Sequence, residues 1–332
     1  MPFLPRRGLL AATLALTALQ TTALSALAQT PSPVWPTKPV KILVGSPPGG
    51  PSDITARLFA DALSKRTGKP AVVENRPGAG NNLAAGLAAK AEPDGHTLVL
   101  SPDTVLTVNP LVYGTSGGFD GRTDLVTVSI VNSFSQMLVC NPAFGVKTAA
   151  ELVAKAKASR ATYASGGPGV PGHLAAEMFL QSTGARMEHV PYRGPAPATL
   201  AVLSGEVDCG FLATPTVVQH VKAGKLSALA VSAGTPSALA PEVPTLAKAL
   251  NQPGLDVSFR LIMQVARGTP APVLAAIEQS IMDIMKDPDV RTRLLAVDLT
   301  AQGSSMAQAQ QVLQAEMARW EPLVKRLDLK AN

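Results

Sequence analysis

The feature that most constrains this chain is an alternation. From residue 40 onward, short apolar runs are followed by loops of small residues, and each loop opens a helical segment. "VKILVG" at 40–45 leads through "SPPGGPSD" into a helix over 53–67, with Gly68 as its stop. On that helix Ile54, Leu58, Leu63 and nearby alanines suit one buried face. "AVVENR" at 71–76 leads through "PGAGNN" into a second helix, and "HTLVLS" at 96–101 begins a third unit. The pattern resumes at 148 and runs to "LSALAVS" at 226–232. Repeated strand–loop–helix units build parallel sheets with helices on both faces.

Two long extended runs interrupt the series, "VTVSIVNSFSQMLVCNP" at 126–142 and "LDVSFRLIMQVARG" at 255–268. Each is long for one strand. They divide the α/β units into two groups and read as crossings between two lobes, a two-strand hinge with the second lobe inserted into the first. The expected boundaries are a first lobe over 29–134, a second over 135–232, and a return to the first over 233–332, which ends in helices. Such a plan leaves a cleft where ligands meet the carboxyl ends of strands.

The first 28 residues stand outside this plan. Arg6 and Arg7 precede an uncharged apolar run ending in Ala26-Leu27-Ala28, the layout of a secretory signal peptide cleaved after Ala28. The paired arginines raise the twin-arginine export route, although the surrounding motif is incomplete. The mature chain is expected to be periplasmic and not itself embedded in a membrane. Removing the leader leaves 27 basic against 23 acidic residues, with no basic block. A nucleic-acid partner would need a concentrated patch, so none is expected. Cys140 and Cys209 are the only cysteines. An oxidising compartment permits a disulfide between them, and two buried thiols are the alternative.

Three loops share one design: "SPPGGPSD", "RPGAGNN" and "SGGPGVPG". Each follows a strand, carries glycine and proline, and opens a helix. The first amides of a helix have no internal partner, and with the helix dipole they favour an anion. Converging on a cleft, three such loops can hold a carboxylate, helped by Ser52, Asn81, Asn82, Ser101, Thr104 and Ser165. Asp53 or Ser52 can also cap the helix that follows. Enzyme motifs fit less well. No lysine follows these glycines at P-loop spacing, and there is no G-x-S-x-G elbow. Gly167-x-Gly169-x-x-Gly172 matches a dinucleotide pattern, but it carries two prolines and belongs to an exported chain. None of His96, His173, His189 and His220 forms a close metal pair. No cofactor and no metal are expected.

The chain resembles the Bug family of periplasmic receptors, which serve tripartite tricarboxylate transporters. The resemblance is carried by "WPTKPVKILVGSPPGGPSDITARL" at 35–58, "VVENRPGAGNNLAA" at 72–85, "AEPDGHTLVLS" at 91–101, "YASGGPGVPGHLAAEMF" at 163–179 and "VPYRGPAPA" at 190–198. It continues in "LSGEVDCGF" at 203–211, "VKAGKLSALAVS" at 221–232 and "PEVPTLAKA" at 241–249. It implies a two-lobed α/β fold of the type II periplasmic-binding plan, two doubly wound sheets with a ligand between them. It implies a grip on a ligand carboxylate by Gly50, Pro51, Ser52 and Asp53, then Gly78, Ala79, Gly80, Asn81 and Asn82, then Ser101 and Thr104. On the second lobe it points to Ser165, Gly166, Gly167, Gly169, His173, Tyr192 and Arg193. The implied partners are a small organic carboxylate and the transporter's integral-membrane subunits, and the implied receptor is a monomer without enzymatic activity. A sensor feeding a signalling protein is the alternative, and an exported α/β hydrolase a more distant one. Two segments depart from the family. Phe259 and Arg260 replace an aromatic pair near the hinge, and "GFLATP" stands where "FDNLPS" is usual. If Arg260 faces the cleft, it can answer a second carboxylate.

Overall fold

The structure is a computed structural model that describes residues 35–114, 118–327 and 329. The expected signal peptide lies outside the described residues. Among the described residues eleven strands form two sheets. The first contains β1 (Val40–Val44), β2 (Ala71–Asn75), β3 (Thr97–Pro102), β4 (Leu125–Phe134), β10 (Phe259–Ala266) and β11 (Thr300–Ala301), in the order β11-β4-β10-β3-β1-β2. The second contains β5 (Gln136–Cys140), β6 (Thr162–Ser165), β7 (Glu188–Pro191), β8 (Cys209–Ala213) and β9 (Ser227–Val231), in the order β7-β6-β8-β5-β9.

Both sheets are mixed. β1 runs parallel to β2 and β3, and β6 parallel to β7 and β8. β10 runs against β3 and β4, and β5 against β8 and β9. The direction follows from where the chain crosses. The carboxyl ends of the parallel strands face the space between the sheets, so a strand arriving from the other lobe starts at those ends and runs opposite. Gln136, which opens β5, therefore pairs with Ala213, which closes β8. Only Ser135 separates β4 from β5. The two crossings are tied together: Ser232 N donates to Gln136 O (2.8 Å), Gln136 N donates to Ser232 Oγ (2.9 Å), and Ser232 Oγ donates to Val257 O (2.7 Å).

The helices that matter for the cleft are α1 (Pro51–Thr67), α2 (Asn82–Ala89), α3 (Thr104–Thr107) and α4 (Asn109–Val112), with α5 (Ala149–Ala158) and α6 (Pro171–Thr183) following. Then come α7 (Pro195–Ser204), α8 (Thr214–Lys222) and α9 (Leu246–Leu250). α10 (Ala271–Lys286), α11 (Pro288–Leu295) and α12 (Met306–Leu327) return to the first sheet, α10 and α12 packing on β4. α1 ends as its sequence predicts, with Gly68 left-handed (φ 68°) and its amide on Ser64 O. Its buried face is turned from the expected one. Ala56, Phe59, Ala60 and Leu63 are buried, while Ile54 and Leu58 are half-buried. α3 and α4 fall in a stretch whose composition shows no helical period.

Cys140 and Cys209 are directly opposed in the β5–β8 register and are bridged by a disulfide, with a Cα–Cα separation of 3.9 Å. Both are fully buried. No helix among the described residues is long and apolar enough to cross a membrane.

Candidate functional site

A cavity of about 400 Å³ lies where the carboxyl ends of the two sheets meet. Loops of both lobes line it, and each is held in shape by residues behind it. In the β1–α1 loop, Asp53 turns inward. Its Oδ2 accepts from Gly49 N (3.0 Å) and Arg57 Nε (3.1 Å), and its Oδ1 from Arg57 Nη2 (2.9 Å) and Asn75 Nδ2 (2.9 Å). Burial alone would raise this carboxyl. The hydrogen bonds from Arg57, Gly49 and Asn75, with the Arg57 charge, outweigh it and hold Asp53 below the usual carboxylate range. Gly45, on the cavity wall, lies so close to the β2–α2 loop that a side chain there would begin 2.6 Å from Asn81 Cα.

The β2–α2 loop is a single 3₁₀ turn, Ala79–Asn81, with three successive residues left-handed: Ala79 (φ 46°), Gly80 (φ 59°) and Asn81 (φ 81°). Alanine and asparagine there store strain that the surroundings must impose. Asn109 imposes part of it, its Nδ2 donating to Gly80 O (2.9 Å) and Asn82 Oδ1 (2.7 Å). The Tyr113 hydroxyl donates to Pro168 O (2.9 Å) and so joins the first lobe to the β6–α6 loop. The β7–α7 loop approaches the first lobe at Gly194, where a Cβ would fall 2.6 Å from Pro47 Cδ.

Behind the β6–α6 loop is a neutral stack. His173 and His189 rings lie 4.2 Å apart, and His189 and Tyr163 rings 4.8 Å apart. His173 Nδ1 accepts from Gly169 N (3.1 Å), which leaves its proton on Nε2, 3.8 Å from Glu177 Oε1. Burial, with the neighbouring His189, pushes His173 down to about 3, and burial pushes His189 down to about 4. Ser165 Oγ lies 2.7 Å from His189 Nε2 and accepts from Gly167 N (3.2 Å). The sequence gives no sign of this serine–histidine pair, because 24 residues separate its members.

Five helices begin at the cavity. Pro51 and Ser52 of α1, Asn81 before α2, Pro171 and Gly172 of α6, Pro195 of α7 and Ala213 before α8 all line it. None of the five has a side-chain cap. Away from the cavity, Thr148 caps α5, Thr245 caps α9 and Asp287 caps α11, while α10 starts after Pro270 without a side-chain cap. The amides of Ser52, Asp53, Gly172 and His173 find no acceptor among the described residues. Arg193, exposed and without an ion pair among them, is the one charged side chain on the cavity wall. Ser46 Oγ, Asn81 Oδ1 and Gln136 Nε2 belong to wall residues and have no hydrogen-bond partner among the described residues. Phe134, Phe211, Leu212 and Val170 supply apolar wall. No group of three His, Cys, Asp or Glu among the described residues is placed to hold a metal ion.

Of the residues expected at the site, Pro51, Ser52, Gly78, Ala79, Gly80, Asn81, Gly166, Gly167, Tyr192 and Arg193 line the cavity. Gly50, Asp53, Asn82, Ser101, Thr104, Ser165, Gly169 and His173 stand behind it. The hydroxyls of Ser101 and Thr104 are buried without partners among the described residues, and that of Tyr192 is taken up by Glu206 (2.7 Å). Arg260 is not on the wall. It lies 3.6 Å from Asp103 Oδ2 and 3.0 Å from Glu316 Oε1, both carboxylates being buried. The expectation that it answers a second ligand carboxylate is corrected, because β10 and α12 give it partners within the first lobe. Sequence reasoning marked the loop that carries Ser46 without naming that serine, and passed over Tyr113, Phe134, Gln136 and Phe211. For Phe134 and Gln136 the crossing at 134–136 was the available signal, since hinge residues border an interlobe cleft.

A family profile, "Tripartite tricarboxylate transporter family receptor", matches residues 55–329. The chain belongs to this family. Protein BugT of Bordetella pertussis is 30% identical over 298 residues, which cover 89% of this chain and 91% of that protein. Among solved structures, R. palustris Rpa4515 with adipate superposes with a TM-score of 0.84 at 29% identity, covering 88% of this chain and 98% of that one. MatC from Rhodopseudomonas palustris with bound malate superposes at 0.81 and 26% identity, covering 87% and 100%. The receptor is a solute-binding protein of the Bug type with the two-lobed periplasmic-binding fold.

Proposed function

We propose that this receptor captures a small organic carboxylate between its lobes, holds it on helix N-terminal amides, and delivers it to the membrane subunits of a tripartite tricarboxylate-type transporter. It acts in the periplasm after losing residues 1–28, as a monomer, with no nucleic-acid partner and no chemical step. The observation that carries the reading is the convergence of uncapped helix starts on one cavity. Five helices open on the cavity with uncapped first turns, and no acidic side chain shares the wall. Such a site offers donors and partial positive charge without burying a cation. Two structural neighbours hold adipate and malate, which are carboxylates.

The Ser165–His189 pair is the one arrangement that favours a hydrolase. Ser165 is fully buried and off the cavity wall, and a histidine pushed down to about 4 is a weak base at neutral pH. A thermal-shift screen of organic acids at fixed pH and salt tests the proposal. At least one acid should raise the melting point while its methyl ester does not, and the acid should be recovered unchanged. Equal shifts from acid and ester, or turnover of the acid, would contradict it.

A further inference from the structure

Gln136 opens β5, one residue past the crossing point, and lines the cavity. Its backbone is fully engaged with Ser232, as described above. The residue is only 2% exposed, its Nε2 is buried without a hydrogen-bond partner among the described residues, and its Oε1 makes no hydrogen bond among them either. Buried polar groups are nearly always paired, so this amide N–H in particular calls for a partner. Phe211 lies diagonal to it across the β5–β8 ladder, on the same face, and Phe134 two residues before it; both line the cavity.

An amide offers one kind of donor and one acceptor. Its complement is an uncharged group with both, a carboxamide or a hydroxyl. A carboxylate would meet the N–H with one oxygen, press against the Oε1 lone pairs, and have to shed its water beside phenylalanine. The single cation of the wall, Arg193, is exposed. Building on the carboxylate-receptor reading, we infer that the ligand is a monocarboxylate whose far end is an uncharged donor–acceptor group, and that Gln136 selects it.

Calorimetric titration of three acid series tests this. The members share a polymethylene spacer of two to five carbons and differ at the far end: carboxamide, carboxylate or isopropyl, as in glutarate monoamide, glutarate and 5-methylhexanoate. At the best spacer the monoamide should bind at least about tenfold tighter than either companion. Gln136→Met should weaken the monoamide about ten- to hundredfold, the usual consequence of unpairing a buried polar group, and change the isopropyl acid less than about threefold. A dicarboxylate that binds tightest to the wild type overturns the inference, even if the variant proves unstable. So does a monoamide preference that survives in Gln136→Met. Acids that bind without regard to Gln136 sink this inference alone. If no acid of any series binds, the carboxylate-receptor reading falls with it.

Discussion

Asp53 shows how one residue prepares a site it does not line. Its carboxylate gathers Gly49 N, Asn75 and Arg57, and Asn75 in turn donates to Ser46 O (2.9 Å). The loop carrying Ser46, Pro51 and Ser52 is thereby fixed before a ligand arrives. Replacing Asp53 by alanine strands Gly49 N and takes from Asn75 one of the two acceptors of its Nδ2. The expected cost is about 2 kcal/mol in urea melts, with a clear loss of affinity for any acid that binds. Because the folded carboxyl is held below its unfolded value, that stability is present above the ordinary carboxylate pKa and is lost as pH falls through the depressed one. The histidines act at a higher pH. His173 and His189 are pushed down to about 3 and about 4, so the fold disfavours their protonation. Their contribution is complete above about pH 6.5 and is lost as pH falls toward 3, with a slope of about 1.4 kcal/mol per pH unit for each group where it holds. Protonating His173 also removes the acceptor for Gly169 N. Urea melts between pH 3 and pH 8 should show this acid loss. Stability that rises on acidification from pH 6 to pH 4 would contradict it. At this scale the sequence displayed the loops through their glycines and prolines, but not the direction in which Asp53, Ser165 and His173 turn. Direction depends on partners distant in the chain, Asn75 for Asp53 and His189 for Ser165 and His173, which pattern alone does not bring together.

Among elements, the buried contact of β3, β10 and α12 is the one most open to titration. Asp103, at the end of β3, is 1% exposed and faces Arg260 of β10, which also serves Glu316 of α12. Two carboxylates share one guanidinium. Burial pushes Asp103 up to about 7, opposed by the Arg260 charge and assisted by Glu316. A raised carboxyl contributes stability that is complete below about pH 3.8 and is lost as pH rises toward 7. Asp103→Asn should therefore be more favourable, relative to the wild type, at pH 8 than at pH 5 by a few kcal/mol. Melts at the two pH values decide it, and an equal effect at both would refute the assignment. The β5–β8 disulfide is a second such element. The double replacement of Cys140 and Cys209 by serine should cost about 2–4 kcal/mol and leave acid affinity unchanged, since neither residue lines the cavity. The strand–loop–helix units were legible in the sequence because their periods change at glycine and proline. α3 and α4 were not, being single turns held by neighbours. The antiparallel entries of β5 and β10 follow from the path of the chain, which local pattern does not encode.

Across the whole molecule, the lobes meet through two tied crossings and through loop contacts such as Tyr113 with Pro168. Two extended runs in the sequence gave this plan away; the apolar wall made by Phe134, Phe211 and Leu212 did not show, because its members come from different elements. Closure on a ligand touching both lobes is a shift between populated states. Small-angle scattering should show a smaller radius of gyration on adding an acid that raises the melting point. The most direct test of the account is a crystal structure of the receptor with that acid. The account predicts the carboxylate between the lobes, its oxygens within about 3.2 Å of first-turn amides such as those of Ser52 and Asp53, directly or through one ordered water. A carboxylate held by Arg193 alone, or outside the cavity, would contradict it.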